Sequence, residues 1–122
     1  MSQILAVAVG GAVGALARHG VSTAAAAAFG PRFPLGTLIV NVAGSFVMGW
    51  LFALFTGRMD VSPELRLLVT TGLLGAFTTF STFSMETLVL LQAGRWAAGA
   101  ANVVLSVALC LGAAWLGTLL VR

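Results

Sequence analysis

Four long apolar stretches, Ile4–Phe29, Leu35–Phe55, Leu65–Leu91 and Trp96–Val121, fill almost the whole chain. A bilayer-spanning helix needs about 20 mostly apolar residues, so each stretch is long enough to cross. The breaks between them are Gly30-Pro31-Arg32-Phe33-Pro34, Gly57-Arg58-Met59-Asp60-Val61-Ser62-Pro63-Glu64 and Ala93-Gly94-Arg95. They carry the glycine, proline and charge that punctuate helices. Only 7% of the 122 residues are charged, against about a quarter in a soluble domain. There is too little polar surface for water. The expected fold is an all-α membrane protein, one four-helix transmembrane domain over residues 1–122. No segment is left for chemistry outside the bilayer, and four helices alone leave little room for an aqueous path. Function is therefore expected to require oligomerisation.

The N-terminal run lacks the basic start of a signal peptide, and Arg18 interrupts it where cleavage would fall. It reads as the first span. With four spans, both termini and the second break lie on one side of the membrane. That side holds Arg58, Arg66 and Arg122; the other holds Arg32 and Arg95, with Arg18 leaning towards it. Cytoplasmic loops normally carry an excess of basic residues, and here there is almost none. Insertion both ways round is the simple reading, and opposed copies can pair about a two-fold axis in the membrane plane; so weak a bias is also compatible with one fixed orientation. The net charge of +3 accompanies no nucleic-acid motif, so basic residues near span ends point to lipid headgroups and orientation. Small residues spaced by four, Gly10 and Gly14, Ser45 and Gly49, Ala108 and Gly112, are expected at close helix contacts.

The third span is the unusual one. It reads Thr70-Thr71-Gly72-Leu73-Leu74-Gly75-Ala76-Phe77-Thr78-Thr79-Phe80-Ser81-Thr82-Phe83-Ser84-Met85-Glu86-Thr87. Two glycines near mid-membrane are followed at once by hydroxyl residues. Non-helical backbone at that depth is tolerated only inside protein or beside a wet cavity, and hydroxyls can satisfy freed backbone groups. The pattern predicts a helix break around Gly75–Thr79. Beyond it, helical projection places Phe80, Phe83, Ser84 and Thr87 on one face and Thr79, Thr82 and Glu86 on another. The plainer readings are core packing for the rings and back-bonding to helical carbonyls for the hydroxyls. A carboxylate in mid-bilayer costs roughly 2.5 kcal/mol or more on insertion scales, which makes Glu86 a functional candidate unless it lies near an interface.

Thr37 and Asn41 add polar groups in the second span, and Asn102, Ser106 and Cys110 share one face of the fourth. Each is either an interhelical hydrogen bond or part of a line of donors beside the third span. Arg18 suits a snorkelling side chain or a basic vestibule that concentrates anions. No metal-ligand cluster, nucleophile–base pair or phosphate loop is present in the sequence, which argues against an enzyme.

Three blocks carry a family resemblance: Gly10 to Arg18, Gly36-Thr37-Leu38-Ile39-Val40-Asn41, and Gly72 to Glu86. In order and spacing they look like the Fluc/CrcB fluoride channels, with the third block the most specific. The fourth span resembles the family mainly in length and in Ser106. It departs at Asn102, where tyrosine is common, and at Cys110, where a hydroxyl is; His19 stands where tyrosine or tryptophan is common. The resemblance implies an antiparallel, dual-topology homodimer in the cell membrane, with two fluoride pores and passive export that relieves fluoride toxicity. It implies a structural Na+ at the dimer centre, held by the backbone carbonyls of Gly75 and Thr78. It implies pore roles for Phe80, Phe83, Asn41, Ser81, Thr82 and Ser106, with Glu86, Thr37, Thr79, Ser84 and Arg18 supporting them. A small-multidrug-resistance-type proton-coupled antiporter shares the four spans and dual topology. That mechanism needs a carboxylate in the first span, where this chain has only Arg18. A passive scaffold subunit would not need so polar a third span.

Overall fold

A computed structural model describes residues 2–121, and the chain is helical through nearly all of them. Helix α1 runs Ser2–Phe29 and α2 runs Leu35–Gly57. The third span is composite: α3 (Pro63–Leu67), a π-helical segment Leu68–Leu74, α4 (Gly75–Phe77) and α5 (Phe80–Gln92). The last helix, α6, runs Trp96–Leu119. Four of the resulting spans are long and apolar enough to cross a membrane, the third being Pro63–Gln92. Each agrees with its sequence-based bounds to within two residues. Arg122, counted in the arginine balance, lies outside the described residues.

The connections follow from local chemistry. Gly30 (φ 79°) and Gly94 (φ 78°) turn the chain in the left-handed region, which a Cβ disfavours. Ser62 caps α3 by accepting from the Leu65 amide at 3.1 Å, with Pro63 at the first helical position. Arg66 packs its guanidinium 5.3 Å from the Phe55 ring centroid, tying this end of the third span to α2.

Close approach at glycines sets the bundle. A Cβ on Gly10 or Gly14 would collide with the backbone carbonyls of Leu68 and Leu73, so α1 lies directly against the π-helical segment. Gly72 returns the contact, 2.9 Å from a Cβ position to the Val7 carbonyl. The most extensive packing is α2 on α6, where Gly49 meets Ala114 and Gly117 meets Phe46. The expected Ala108/Gly112 contact is absent: Ala108 is exposed, and nothing lies within 4 Å of a Cβ on Gly112. The stripe on α6 that faces α2 runs through Gly117. Val40 and Asn102 are the largest fully buried side chains among the described residues, while many large apolar residues of α1, α5 and α6 face outward, as a lipid-facing surface requires.

A candidate ion pathway at the break in the third span

The break falls at Thr78 (φ −90°, ψ 157°) and Thr79 (φ −153°, ψ 122°), two extended residues between α4 and α5. It lies within the expected interval, but the glycines do not make it by adopting unusual backbone. Gly75 is itself helical (φ −60°, ψ −37°). What holds the chain open comes from other helices. Asn41 on α2 accepts from the Thr79 amide at 2.8 Å and donates Nδ2–H to the Thr79 carbonyl at 3.0 Å. Arg18 on α1 donates Nε–H to the Ala76 carbonyl at 2.9 Å. Arg18 is thus neither simply snorkelling nor simply a vestibule charge; it satisfies a carbonyl that the break releases. The Thr78 hydroxyl donates to the Leu74 carbonyl at 2.9 Å, and its methyl rests where a Cβ on Gly44 would be.

Tracing the remaining backbone groups shows what the break leaves free. In a continuous helix the Thr79 amide would donate to the Gly75 carbonyl, but Asn41 takes it. The Thr82 amide would donate to the Thr78 carbonyl, but it caps on Thr79 Oγ1 at 3.2 Å. Among the described residues, the Gly75 and Thr78 carbonyls therefore lack their helical donors. On the other side of the break α5 begins, with its dipole positive at Phe80 and Ser81. A short stretch of backbone thus offers bare carbonyl oxygens and a helix N-terminus.

Two cavities flank α5. One, of about 450 Å³, is lined by Asn41, Thr78, Thr79, Phe80, Phe83 and Ser106 among others, with Cys110 at its wall. The Phe80 and Phe83 rings stand 5.4 Å apart, tilted by 49°. Phe83 is buried, whereas Phe80 is 78% exposed. The other cavity, of about 640 Å³, collects Arg18, His19, Thr37, Thr82 and Glu86. Glu86 Oε1 is buried there with no hydrogen-bond partner among the described residues. Buried acceptors are normally satisfied, which sets this carboxylate apart from the other polar groups of the third span.

The predicted residues therefore divide. Asn41, Thr78, Thr79, Phe80, Phe83 and Ser106 come together at the first cavity, and Arg18, Thr37, Thr82 and Glu86 at the second. Along the side of α5 that carries Phe80, Phe83, Ser84 and Thr87, Phe83 and Thr87 are buried while Phe80 and Ser84 are exposed, Ser84 back-bonded to the Phe80 carbonyl at 2.9 Å. Ser81 is exposed too, 3.3 Å from Thr79 Oγ1. The plain back-bonding reading holds for Thr70, Thr78, Ser84 and Thr87, each of which donates to the carbonyl four residues earlier.

Asn102 makes the interhelical bond: its Nδ2–H donates to Thr87 Oγ1 at 2.8 Å, and its Oδ1 accepts from Ser106 at 3.5 Å. Gly44, under the break, was not among the sequence candidates. Its small size at a span of small residues was the only signal for it.

Comparison with known proteins identifies the family. A sequence model described as CrcB-like protein, Camphor Resistance (CrcB), matches residues 5–118. A protein of Magnetococcus marinus named "Fluoride-specific ion channel FluC" is 55% identical over 120 residues, 98% of each chain. Proteins of the same name from Shewanella sp. (strain ANA-3) and Shewanella baltica (strain OS185) are each 53% identical over 122 residues, 99% of this chain and 97% of theirs. These names denote ion channels, a function without catalysis. A family match over nearly the whole length, joined to four spans and a polar break in the third, means that this chain belongs to the CrcB family.

Proposed function

We propose that this protein is a fluoride-selective channel of the cell membrane, working as an antiparallel, dual-topology homodimer with two pores and exporting fluoride passively. The observation that carries the reading is the open break between Phe77 and Phe80, where aromatic rings, hydroxyls and a helix N-terminus share one cavity. The names of relatives 53–55% identical over nearly the full length support the choice of ion.

The chemistry suits a small, strongly hydrated anion. Stripping an ion of water without replacement costs tens of kcal/mol by order of magnitude, so a conducting path needs donors along it. Asn41 has a second Nδ2–H beyond the one given to Thr79, and Ser81, Thr82 and Ser106 supply hydroxyls. Ring edges carry partial positive charge, so Phe80 and Phe83 can face the anion where there is no space for water. Arg18 raises anion concentration at the second cavity. Thr79 orients the Thr82 hydroxyl, donating to its Oγ1 at 3.1 Å, and Glu86, Thr37 and Ser84 support the path without meeting fluoride. A narrow site of donors favours fluoride over larger chloride.

One copy leaves the Phe80 ring bare beside a cavity open on one side; a second, inverted copy would cover both. The carbonyls of Gly75 and Thr78 fit a central Na+, because a hard cation takes oxygen ligands and a two-fold axis doubles two carbonyls to four. Bound there, the ion would neutralise carbonyl dipoles and tie the two breaks together.

Expression in a bacterium stripped of its own fluoride exporter tests the proposal in cells. Growth in fluoride medium should be restored by the wild-type chain and, at equal membrane abundance, only at markedly lower fluoride concentrations by Phe80→Ala. Equal rescue by both, or by neither, would remove the reading.

A further inference from the structure

Asn41 is engaged in a way that its place on the cavity wall does not require. Both functions of its amide are committed to one residue, Thr79, at 2.8 and 3.0 Å and across 38 positions of sequence. This is the pairing that a neighbouring β-strand would give to an extended residue, supplied here by a side chain. Thr79 needs it, since an extended residue inside a membrane has no water to satisfy its backbone.

The same contact decides the fate of the Gly75 carbonyl. The Thr79 N–H has two acceptors to choose from: Gly75, four residues earlier, which closes the helix, or Asn41 Oδ1, which keeps it open. We propose that Asn41 is a positioning residue that holds the third span open by outcompeting the Gly75 carbonyl for the Thr79 amide. The inference rests on the channel reading for its meaning but on this geometry alone for its substance. Loss of the clasp lets Thr79 swing back towards Gly75, which turns Phe80 out of the cavity and withdraws a carbonyl from the Gly75/Thr78 oxygen pair. Asn41 therefore acts on conduction through Thr79, whatever its second N–H does at the cavity.

A mutant cycle on the backbone tests this. Thr79 is replaced by its α-hydroxy analogue, which turns its amide into an ester and deletes the N–H. The replacement is made in the wild-type and Asn41→Ala backgrounds. It also weakens the Thr78 carbonyl as an acceptor, but equally in both, so the cycle cancels that effect. In the wild type the ester should slow fluoride efflux from liposomes roughly tenfold, the equivalent of one well-made hydrogen bond. In Asn41→Ala the clasp is already gone and the ester deletes the donor that would close on Gly75, so efflux should not fall further and should recover part of what Asn41→Ala lost. Asn41→Asp keeps the acceptor for the Thr79 amide, so in that background the ester should regain its full effect. The melting temperature of the purified protein, read over the same cycle, should fall less with the ester in Asn41→Ala than in the wild type, because the bond to Gly75 lost there is the weaker of the two. That readout requires no conduction, so it decides the clasp even if the protein passes no fluoride. Equal effects of the ester in the wild type and Asn41→Ala, in efflux or in melting where efflux is nil, would overturn the proposal.

Discussion

Gly44 on α2 lies against the break, and adding one methyl there is a sharp test of how the break is packed. The Cβ of Gly44→Ala would meet the Thr78 Cγ2 head-on and the Phe77 ring at 3.4 Å. Thr78 cannot turn aside freely: it is β-branched and stiff at χ1, and its hydroxyl is bonded to the Leu74 carbonyl at 2.9 Å. Overpacking of this kind costs about 1–3 kcal/mol. Losing the hydroxyl bond adds about 0.6 kcal/mol, the average for side-chain bonds in membrane proteins. The sum, roughly 1.6–3.6 kcal/mol, should lower the melting temperature of the purified protein by several degrees and slow fluoride efflux.

The cure is specific. Thr78→Ser deletes the offending methyl and keeps the hydroxyl, at a cost of up to about 0.8 kcal/mol alone. Combined with Gly44→Ala, it leaves the new methyl in the space of the old one, and stability should return to within about 1 kcal/mol of wild type. A neutral Gly44→Ala would refute the reasoning. So would a double variant that falls by the sum of its parts.

Other consequences follow from single contacts. Arg18→Leu leaves the Ala76 carbonyl without its donor, which should cost about 1–3 kcal/mol in a melting experiment, whereas Arg18→Lys should recover part of it. Asn102→Leu removes the bond to Thr87 but keeps the volume, so a loss within about 1 kcal/mol is expected; a larger fall in melting temperature would mean that the α5–α6 polar contact does more than pack. Phe80→Ala removes a ring that one copy leaves 78% exposed. It should leave the fold of the chain intact by circular dichroism yet slow fluoride efflux on the order of tenfold, about 1.4 kcal/mol. Gly49→Val and Gly117→Val should each drive α2 from α6, seen as loss of folded protein in detergent, because both would strike backbone rather than a movable side chain.

The spans were legible because lipid imposes a coarse rule: long apolar runs between glycine, proline and charge admit one interpretation. The break was legible for a related reason, since hydroxyls clustered in mid-span signal backbone that needs partners. Its mechanism was not. Of the two glycines that mark it, Gly72 works by close approach, admitting α1 against the π-helical segment, and Gly75 has no close neighbour; the extended residues are the threonines that follow. The π-helical segment Leu68–Leu74 leaves no mark in the hydrophobic pattern, because its wider turn changes hydrogen bonding without changing composition.

The partners of the break lie 38 and 58 residues away, at Asn41 and Arg18. Sequence could mark both side chains as polar within a span, but not say that each reaches a backbone carbonyl. Asn102 could be read either as a pathway residue or as a helix-to-helix bond; only its burial and its bond to Thr87 distinguish them. Likewise, periodicity puts Ser84 on the side of Phe80 and Phe83, but which of these is covered depends on neighbouring helices: Phe83 is buried, while Phe80 and Ser84 are exposed.

The central claim is that the break conducts fluoride and excludes larger anions. Its most direct test is ion efflux from liposomes holding the purified protein, followed with fluoride- and chloride-selective electrodes. The account predicts rapid fluoride loss with negligible chloride loss. Equal release of the two anions, or no fluoride release from correctly folded protein, would contradict it.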